Sequence, residues 1–250
     1  MTMFDSDSAY DAFMGRYSRR LAPVFADFAG IGAAERVADV GAGTGALSTE
    51  LVARGLRVGA ADPSPQFVAA IHERLPDVDA RVAPAEELPW PDESFDAALA
   101  QLVVAFMRDA QTGVQEMRRV VEPGGTIAVC MWDRQGMEML AAVWRARQVV
   151  GSEIPMTDAR YRTREEIEPL FGDGFADVHT ELLETDAAYT SYDEFWSALS
   201  GGAGPAGAWL GALDAEQRDT ARAEIHHQLG DPEGPFTLGA KAWATRATRA

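Results

Sequence analysis

The sequence holds one cysteine, Cys130, and one lysine, Lys241. A single thiol excludes an intrachain disulfide and any thiolate metal cluster, so no metal is expected. No apolar run approaches the roughly 18 residues that a membrane-spanning helix needs. Internal repeats and low-complexity tracts are missing too. Positive charge is scarce: 22 Lys and Arg face 39 Asp and Glu, for a formal net charge of −17. Such a chain repels phosphate backbones, and no local basic patch offsets the field, so neither a nucleic acid nor a membrane is expected as partner. The start, "MTMFDSDSAYDAFMGRYSRR", is polar and partly acidic, unlike a secretory signal. Arg19-Arg20 is followed by a short segment carrying Asp27, which does not suit twin-arginine export. The expectation is a soluble, cytoplasmic protein.

What is present points to a sizeable core. Of 250 residues, 47% are hydrophobic, enough for one large domain with an added subdomain. Helical spacing covers Tyr10 to Tyr17 and then Leu21 to Phe28. From residue 36, strands and helices alternate. Strands are expected at 36–40, 56–61, 80–83, 95–101 and 126–131, and helices at 46–53, 66–75 and 109–121. Pro123-Gly124-Gly125 reads as the stop of the last helix. This alternation implies a doubly wound, Rossmann-like α/β fold with a mostly parallel sheet. Later strands at 175–184 and 235–245 bring the number to seven. Helix-start spacing recurs at Thr163-x-x-Glu166, Ser191-x-x-Glu194 and Asp214-x-x-Gln217. The chain is read as one domain, 1–250, with a helical leader (1–30), a ligand-binding core (31–133), a helical segment (134–174) and a helical lid insert between the last two strands (186–234). "SGGAGPAGA", residues 200–208, reads as a flexible joint inside that insert.

"ADVGAGTGALSTEL", residues 38–51, carries the functional signal. A strand, a glycine turn and a helix follow in that order. Ligands of such sheets sit at the carboxyl ends of the strands, and glycines let backbone N–H groups approach them. Asp62 ends the second strand, 21 positions after Gly41, where an acid can accept from both ribose hydroxyls of an adenosine. Gly41-x-Gly43-x-x-Ala46 suits a dinucleotide, whereas Gly41-x-Gly43-x-Gly45 with Asp39 before it suits another ligand. An anion at Asp39 is awkward beside pyrophosphate but matches a ligand carrying an ammonium.

"RVADVGAGTGALSTEL", "GAADPSPQFV", "APAEELPWPDESFDAALAQLVVAFMRD" and "MRRVVEPGGTIAVCMWD" resemble, in order and spacing, the motifs of class I S-adenosylmethionine-dependent methyltransferases. The small-molecule branch often called type 11 is the closest in look, and the leader "YDAFMGRYSRRLAPVF" is similar to that of a bacterial subgroup. The resemblance implies a seven-stranded sheet ending in an antiparallel hairpin. It implies S-adenosylmethionine as donor and S-adenosylhomocysteine as product. Gly41, Ala42, Gly43 and Gly45 then shape the turn around the methionine half, with Asp39 near the ammonium. Asp62 takes the ribose, flanked by Pro63 and Ser64. Ala85 and Glu86 lie beside the adenine, Gln101 and Leu102 near the sulfonium, and Arg16 reaches the donor carboxylate. One position departs from the pattern: Pro84 stands where relatives carry an aspartate for the adenine amino group, and proline offers neither carboxylate nor N–H.

Transfer of a sulfonium methyl mainly requires alignment and exclusion of water, with a base only for an unactivated acceptor. The sequence offers weak base candidates, His226, His179 and Tyr161, and no assigned catalytic residue. Trp132, Trp144, Phe195, Trp196 and Trp209 are the expected acceptor-binding set, pointing to a small apolar or aromatic metabolite. Two rival functions are a donor-binding protein that transfers no methyl and a nicotinamide-dependent oxidoreductase.

Overall fold

The structure is a computed structural model and describes residues 7–32, 36–151, 160–201 and 204–250. A long helix, α1 (Asp7–Ala29), leads into β1 (Arg36–Val40), α2 (Ala46–Ala53), β2 (Arg57–Asp62), α3 (Pro65–Arg74), β3 (Asp79–Val82) and β4 (Phe95–Gln101). Next come α4 (Ala110–Val120), β5 (Val121–Trp132), α5 (Glu138–Val150), α6 (Arg164–Ile167) and β6 (Phe175–Tyr189). The chain ends with α7 (Tyr192–Ser200), α8 (Gly204–Ala212), α9 (Ala215–Gln228) and β7 (Phe236–Arg249).

Seven strands form one sheet in the order β3-β2-β1-β4-β5-β7-β6. β1 pairs in parallel with β2 and β4, β2 with β3, and β4 with β5. β7 alone among these registers runs antiparallel, against β5. After β3 the chain returns to the far side of β1, so β1 and β4 flank the switch point of the sheet. The central strands read as apolar runs because both faces are covered: Val37 to Val40 and Ala97 to Ala100 are buried. α4 shows the complementary logic. Ala110, Val114, Met117 and Val120 face the core, and the Asp109 carboxylate caps the first turn by accepting from Gln111 N at 3.1 Å.

The structure corrects several expectations. α1 is one helix, with Pro23 inside it. Leu21, Ala22, Phe25, Ala26 and Ala29 extend the buried stripe begun by Phe13 and Tyr17, and that burial outweighs the one backbone hydrogen bond Pro23 cannot make. Pro123-Gly124-Gly125 does not terminate α4, which ends at Val120, but bulges within β5. Phe95 pairs with Val121 and Ala97 with Thr126. Gly125 is required there, since a Cβ would lie 2.5 Å from the Asp96 carbonyl.

Of the three helix starts, Asp214-x-x-Gln217 forms the full reciprocal box. Ser191 accepts from Glu194 N, but Glu194 turns back to Thr190 N, at 2.7 Å. Thr163 makes no side-chain cap; Glu166 instead accepts from Arg162 N at 2.7 Å, and α6 is a single turn. The glycine-rich joint is not a joint from residue 204 onward, where α8 begins; Gly202 and Ala203 lie outside the described residues. α8 buries Trp209 and Leu210, which offsets the roughly 1 kcal/mol that each glycine costs a helix.

Two compact units divide the chain. The sheet unit comprises Ser18–Asp133, Ala159–Glu184 and Ala242–Ala250, and the helical unit Met1–Tyr17, Arg134–Asp158 and Thr185–Lys241. The core of the sheet unit joins Val40, Ala98, Val104, Met117, Ile127 and Ile167. In the helical unit α5 packs on α9, and the Tyr189 ring stacks on Phe236 at 5.5 Å and meets Phe195 edge-on at 5.1 Å.

Candidate functional site

The switch point of the sheet unit concentrates its polar chemistry. β1 delivers Asp39 next to Ala60 of β2 and Leu99 of β4, and buries it at 1% exposure. Its partner is Ser48 on α2, whose hydroxyl donates to Asp39 Oδ2 at 2.6 Å. Burial pushes the Asp39 carboxyl up to about 7, the negative Asp62 adds to that rise, and the Ser48 bonds oppose it.

The turn that follows holds three glycines with positive φ, for different reasons. A Cβ on Gly41 (φ 71°) would meet Val103 Cγ2 at 2.3 Å, and one on Gly45 (φ 84°) would meet Ile71 Cγ1 at 3.2 Å. Gly43 (φ 54°) has nothing within 4 Å of that position. Gly41 and Gly45 therefore serve packing, while Gly43 leaves an open side that a ligand can approach.

Asp62 closes the other flank. Its Oδ2 accepts from Gly43 N and its Oδ1 from Ser64 N, each at 2.9 Å. Burial raises its pKa, against the pull of those two N–H donors. Each carboxylate oxygen keeps a second lone pair for a ligand hydroxyl, so the two backbone bonds orient the group without exhausting it. Pro63 is exposed, and the Ser64 hydroxyl caps α3 by accepting from Phe67 N at 3.4 Å. Ala42 is buried, and its N–H donates to the Ala61 carbonyl, which folds the turn onto the end of β2.

Residues after β3 join the same edge, because Ala83 N donates to the Asp62 carbonyl at 3.1 Å. Ala85 is buried, and Glu86 Oε1 accepts from Asp109 N at 3.0 Å, so Glu86 braces the start of α4. At the end of β4, Gln101 Nε2 donates to the Ser18 carbonyl at 3.0 Å. A carbonyl can only accept, so Oε1 is the remaining end, and it is buried with no hydrogen-bond partner. Leu102 adopts φ 63°, a left-handed conformation unusual for leucine, and its N–H donates to the Cys130 carbonyl. That turn places Val103 against Gly41.

Comparison with known proteins bears on what such a site belongs to. Residues 38–129 match the family model described as a methyltransferase domain. An uncharacterised protein of Mycobacterium tuberculosis is 31% identical over 186 residues, covering 70% of this chain and 68% of that one. An uncharacterised methyltransferase of the same organism is 34% identical over 152 residues, 60% of this chain and 61% of that one. Among solved structures, that of a putative type II methyltransferase from Anaeromyxobacter dehalogenans aligns with a TM-score of 0.66 at 24% identity, over 93% of this chain and 96% of that one. The chain belongs to the methyltransferases, with residues 38–129 forming the methyltransferase domain. The matched segment spans the glycine turn, Asp62 and the end of β4, and runs into β5.

The remaining sequence candidates divide between the two units. Arg16, in the helical unit, donates to the Ala188 carbonyl at 3.0 Å, pairs with Glu194 and lies 4.9 Å over the Tyr189 ring. His226 belongs to that unit too, between the Pro232 carbonyl at 3.2 Å and the Tyr192 ring. In the sheet unit, His179 is exposed on β6 and stacks on Phe28, whereas Tyr161 packs against the core at φ 60°. His179 and Tyr161 thus sit in separate settings within one unit. Of the aromatic set, Trp132 is buried in the sheet unit, and Phe195 and Trp209 are fully buried in the helical unit. Trp144 and Trp196 are half-buried, with Arg147 over the former and Arg218 and Arg222 over the latter.

Sequence reasoning missed Ser48, Val103 and Ser18. A signal existed for Ser48 alone: it is a polar residue between Leu47 and Leu51 on the inward face of a short helix.

Proposed function

We propose that this chain transfers the methyl group of S-adenosylmethionine to a small-molecule acceptor. The observation that carries the reading is a pair of carboxylates, Asp39 and Asp62, flanking a glycine turn whose open side is at Gly43. Two buried acids there suit a cationic amino-acid moiety on one side and a ribose on the other. Asp62 would hold the ribose hydroxyls, with Pro63 and Ser64 beside it, and Asp39 would face the ammonium. Ala85 and Glu86 would line the adenine. Pro84 leaves adenine recognition to the Ala85 N–H, to Glu86, which gives only Oε1 to Asp109 N, and to packing. Gln101 offers a buried carbonyl oxygen, Oε1, to an N–H or O–H of whatever binds at the end of β4.

The donor, when bound, supplies a methyl activated by its sulfonium. The residues of the chain would then align and desolvate the reaction, and no side chain is assigned as a base. For the acceptor we propose a small, largely apolar or aromatic metabolite. Titration calorimetry with S-adenosylhomocysteine and, separately, NADH tests the donor. Binding of the former alone supports the reading, and binding of NADH alone overturns it. A donor-consumption assay over a panel of amines, phenols and enolisable ketones tests methyl transfer and reports the acceptor class.

A further inference from the structure

Asp39 and Asp62 sit on two sides of one turn, yet the fold treats them differently. Asp62 receives two backbone N–H groups. The turn's N–H groups go elsewhere at four positions: Gly41 N and Ala42 N donate to the Ala61 carbonyl, Gly43 N to Asp62, and Gly45 N to the Ala42 carbonyl, while Asp39 accepts from the hydroxyl and the backbone N–H of Ser48. Ser48 is the one residue that hydrogen-bonds Asp39, and no cationic side chain pairs with it among the described residues. Two charged groups bond to the turn, Asp62 on β2 at Gly43 N and Arg74 on α3, whose Nη1 donates to the Thr44 carbonyl at 3.1 Å. β4 contributes Leu99 alongside Asp39, and α2 contributes Ser48.

A carboxylate buried without a counter-charge neutralises rather than stays ionised. We propose that Asp39 is protonated in the free protein and that the donor's ammonium binds by proton exchange, expelling that proton to solvent as Asp39 becomes its counter-ion. The inference rests on the donor assignment made above and adds its linkage to pH. The balance is simple: the ammonium keeps its charge, the carboxylic O–H bond breaks, the electron pair stays on Asp39, and the proton passes to buffer. Asp39 is a positioning residue in this scheme. Its titration near neutrality in the free protein, to about 7, fits the geometry, and the arriving positive charge acts in the opposite sense to Asp62.

The test is titration calorimetry of the whole chain with S-adenosylhomocysteine, which carries the ammonium but no sulfonium, in buffers of different ionisation enthalpy. A group titrating near 7 that ionises on binding releases about 0.9 proton at pH 6 and about 0.2 at pH 7.5, and affinity rises about 25-fold from pH 5.5 to 7.5. Asp39→Asn keeps a hydrogen bond to Ser48 but has no proton to lose, so the release disappears and the affinity loses its pH dependence. Ser48→Ala removes the bond that favours the anion, so release at pH 7.5 grows. Binding with a heat that does not depend on the buffer at pH 6 overturns the proposal, as does full release retained in Asp39→Asn. Failure of S-adenosylhomocysteine to bind at any pH instead overturns the donor assignment itself.

Discussion

Asp62→Asn is the sharpest single probe of the site. The side chain now satisfies two backbone donors, Gly43 N and Ser64 N, with one oxygen each. Asparagine has the same shape but only one oxygen, so whichever way the amide turns, its NH2 faces one of those N–H groups. Two losses follow. One backbone donor is orphaned in a buried setting, which costs about 1–3 kcal/mol of stability. The ligand loses the charge on its ribose acceptor, and a hydrogen bond to a charged group is worth about 1.5–3 kcal/mol, so two ribose contacts amount to about 3–6 kcal/mol. The expected dissociation constant for S-adenosylhomocysteine rises about 100-fold or more, since each 1.4 kcal/mol is about tenfold. Calorimetry reads the affinity and thermal melting reads the stability. An affinity within about threefold of the native protein, with the melting temperature also unchanged, would refute both the ribose assignment and the orienting role of the two N–H bonds.

Other substitutions test the rest of the reasoning. The Asp39 carboxyl is raised in the folded state to about 7, so its contribution to stability is full below the unfolded value near 3.9 and is lost as pH rises through 7, by up to about 1.4 kcal/mol per unit. Melting of the ligand-free protein should therefore fall between pH 5 and 8 more steeply than that of Asp39→Asn; parallel curves would exclude the titration. Gly41→Ala drives a Cβ to 2.3 Å from Val103 and should cost about 2–4 kcal/mol of stability in denaturant melts. Gly43→Ala meets nothing within 4 Å, so it should cost about 1 kcal/mol of stability yet weaken S-adenosylhomocysteine binding at least about tenfold. Equal effects of the two on stability and affinity would contradict the division of labour between these glycines. Trp209→Ala should destabilise by about 3–5 kcal/mol, because Trp209 is 1% exposed, whereas Trp144→Ala, at a half-buried position, should stay within about 1 kcal/mol; a neutral Trp209→Ala would deny it a structural role.

Much of the sheet unit was legible in the chain. β1 and β4 are read correctly to the residue because buried parallel strands leave an apolar run bounded by turn residues. The glycine turn and Asp62 follow from fixed spacing along one strand–turn–helix–strand path. The helix at Asp214 is legible because a capping box is wholly local. Legibility fails where distant packing outvotes local propensity. Pro23 stays inside α1 and the glycines at the start of α8 become helical since each helix buries a stripe that a short-range reading does not weigh. The bulge at Pro123-Gly124-Gly125 depends on the approach of the Asp96 carbonyl, 27 residues before Pro123.

The sequence by itself determined the order of elements, the turn with Asp39, Gly41, Gly43 and Gly45, and the acid at Asp62, since all are set by near neighbours along the chain. Only the tertiary structure decided what state these groups are in. It gave both oxygens of Asp62 to backbone N–H groups and left Asp39 with Ser48 alone, through its hydroxyl and its backbone N–H. It set Val103 against Gly41 and kept Gly43 open. The reason is physical: ionisation and ligand access depend on burial and on which donors the surrounding strands have already spent, and those are properties of space rather than of order along the chain.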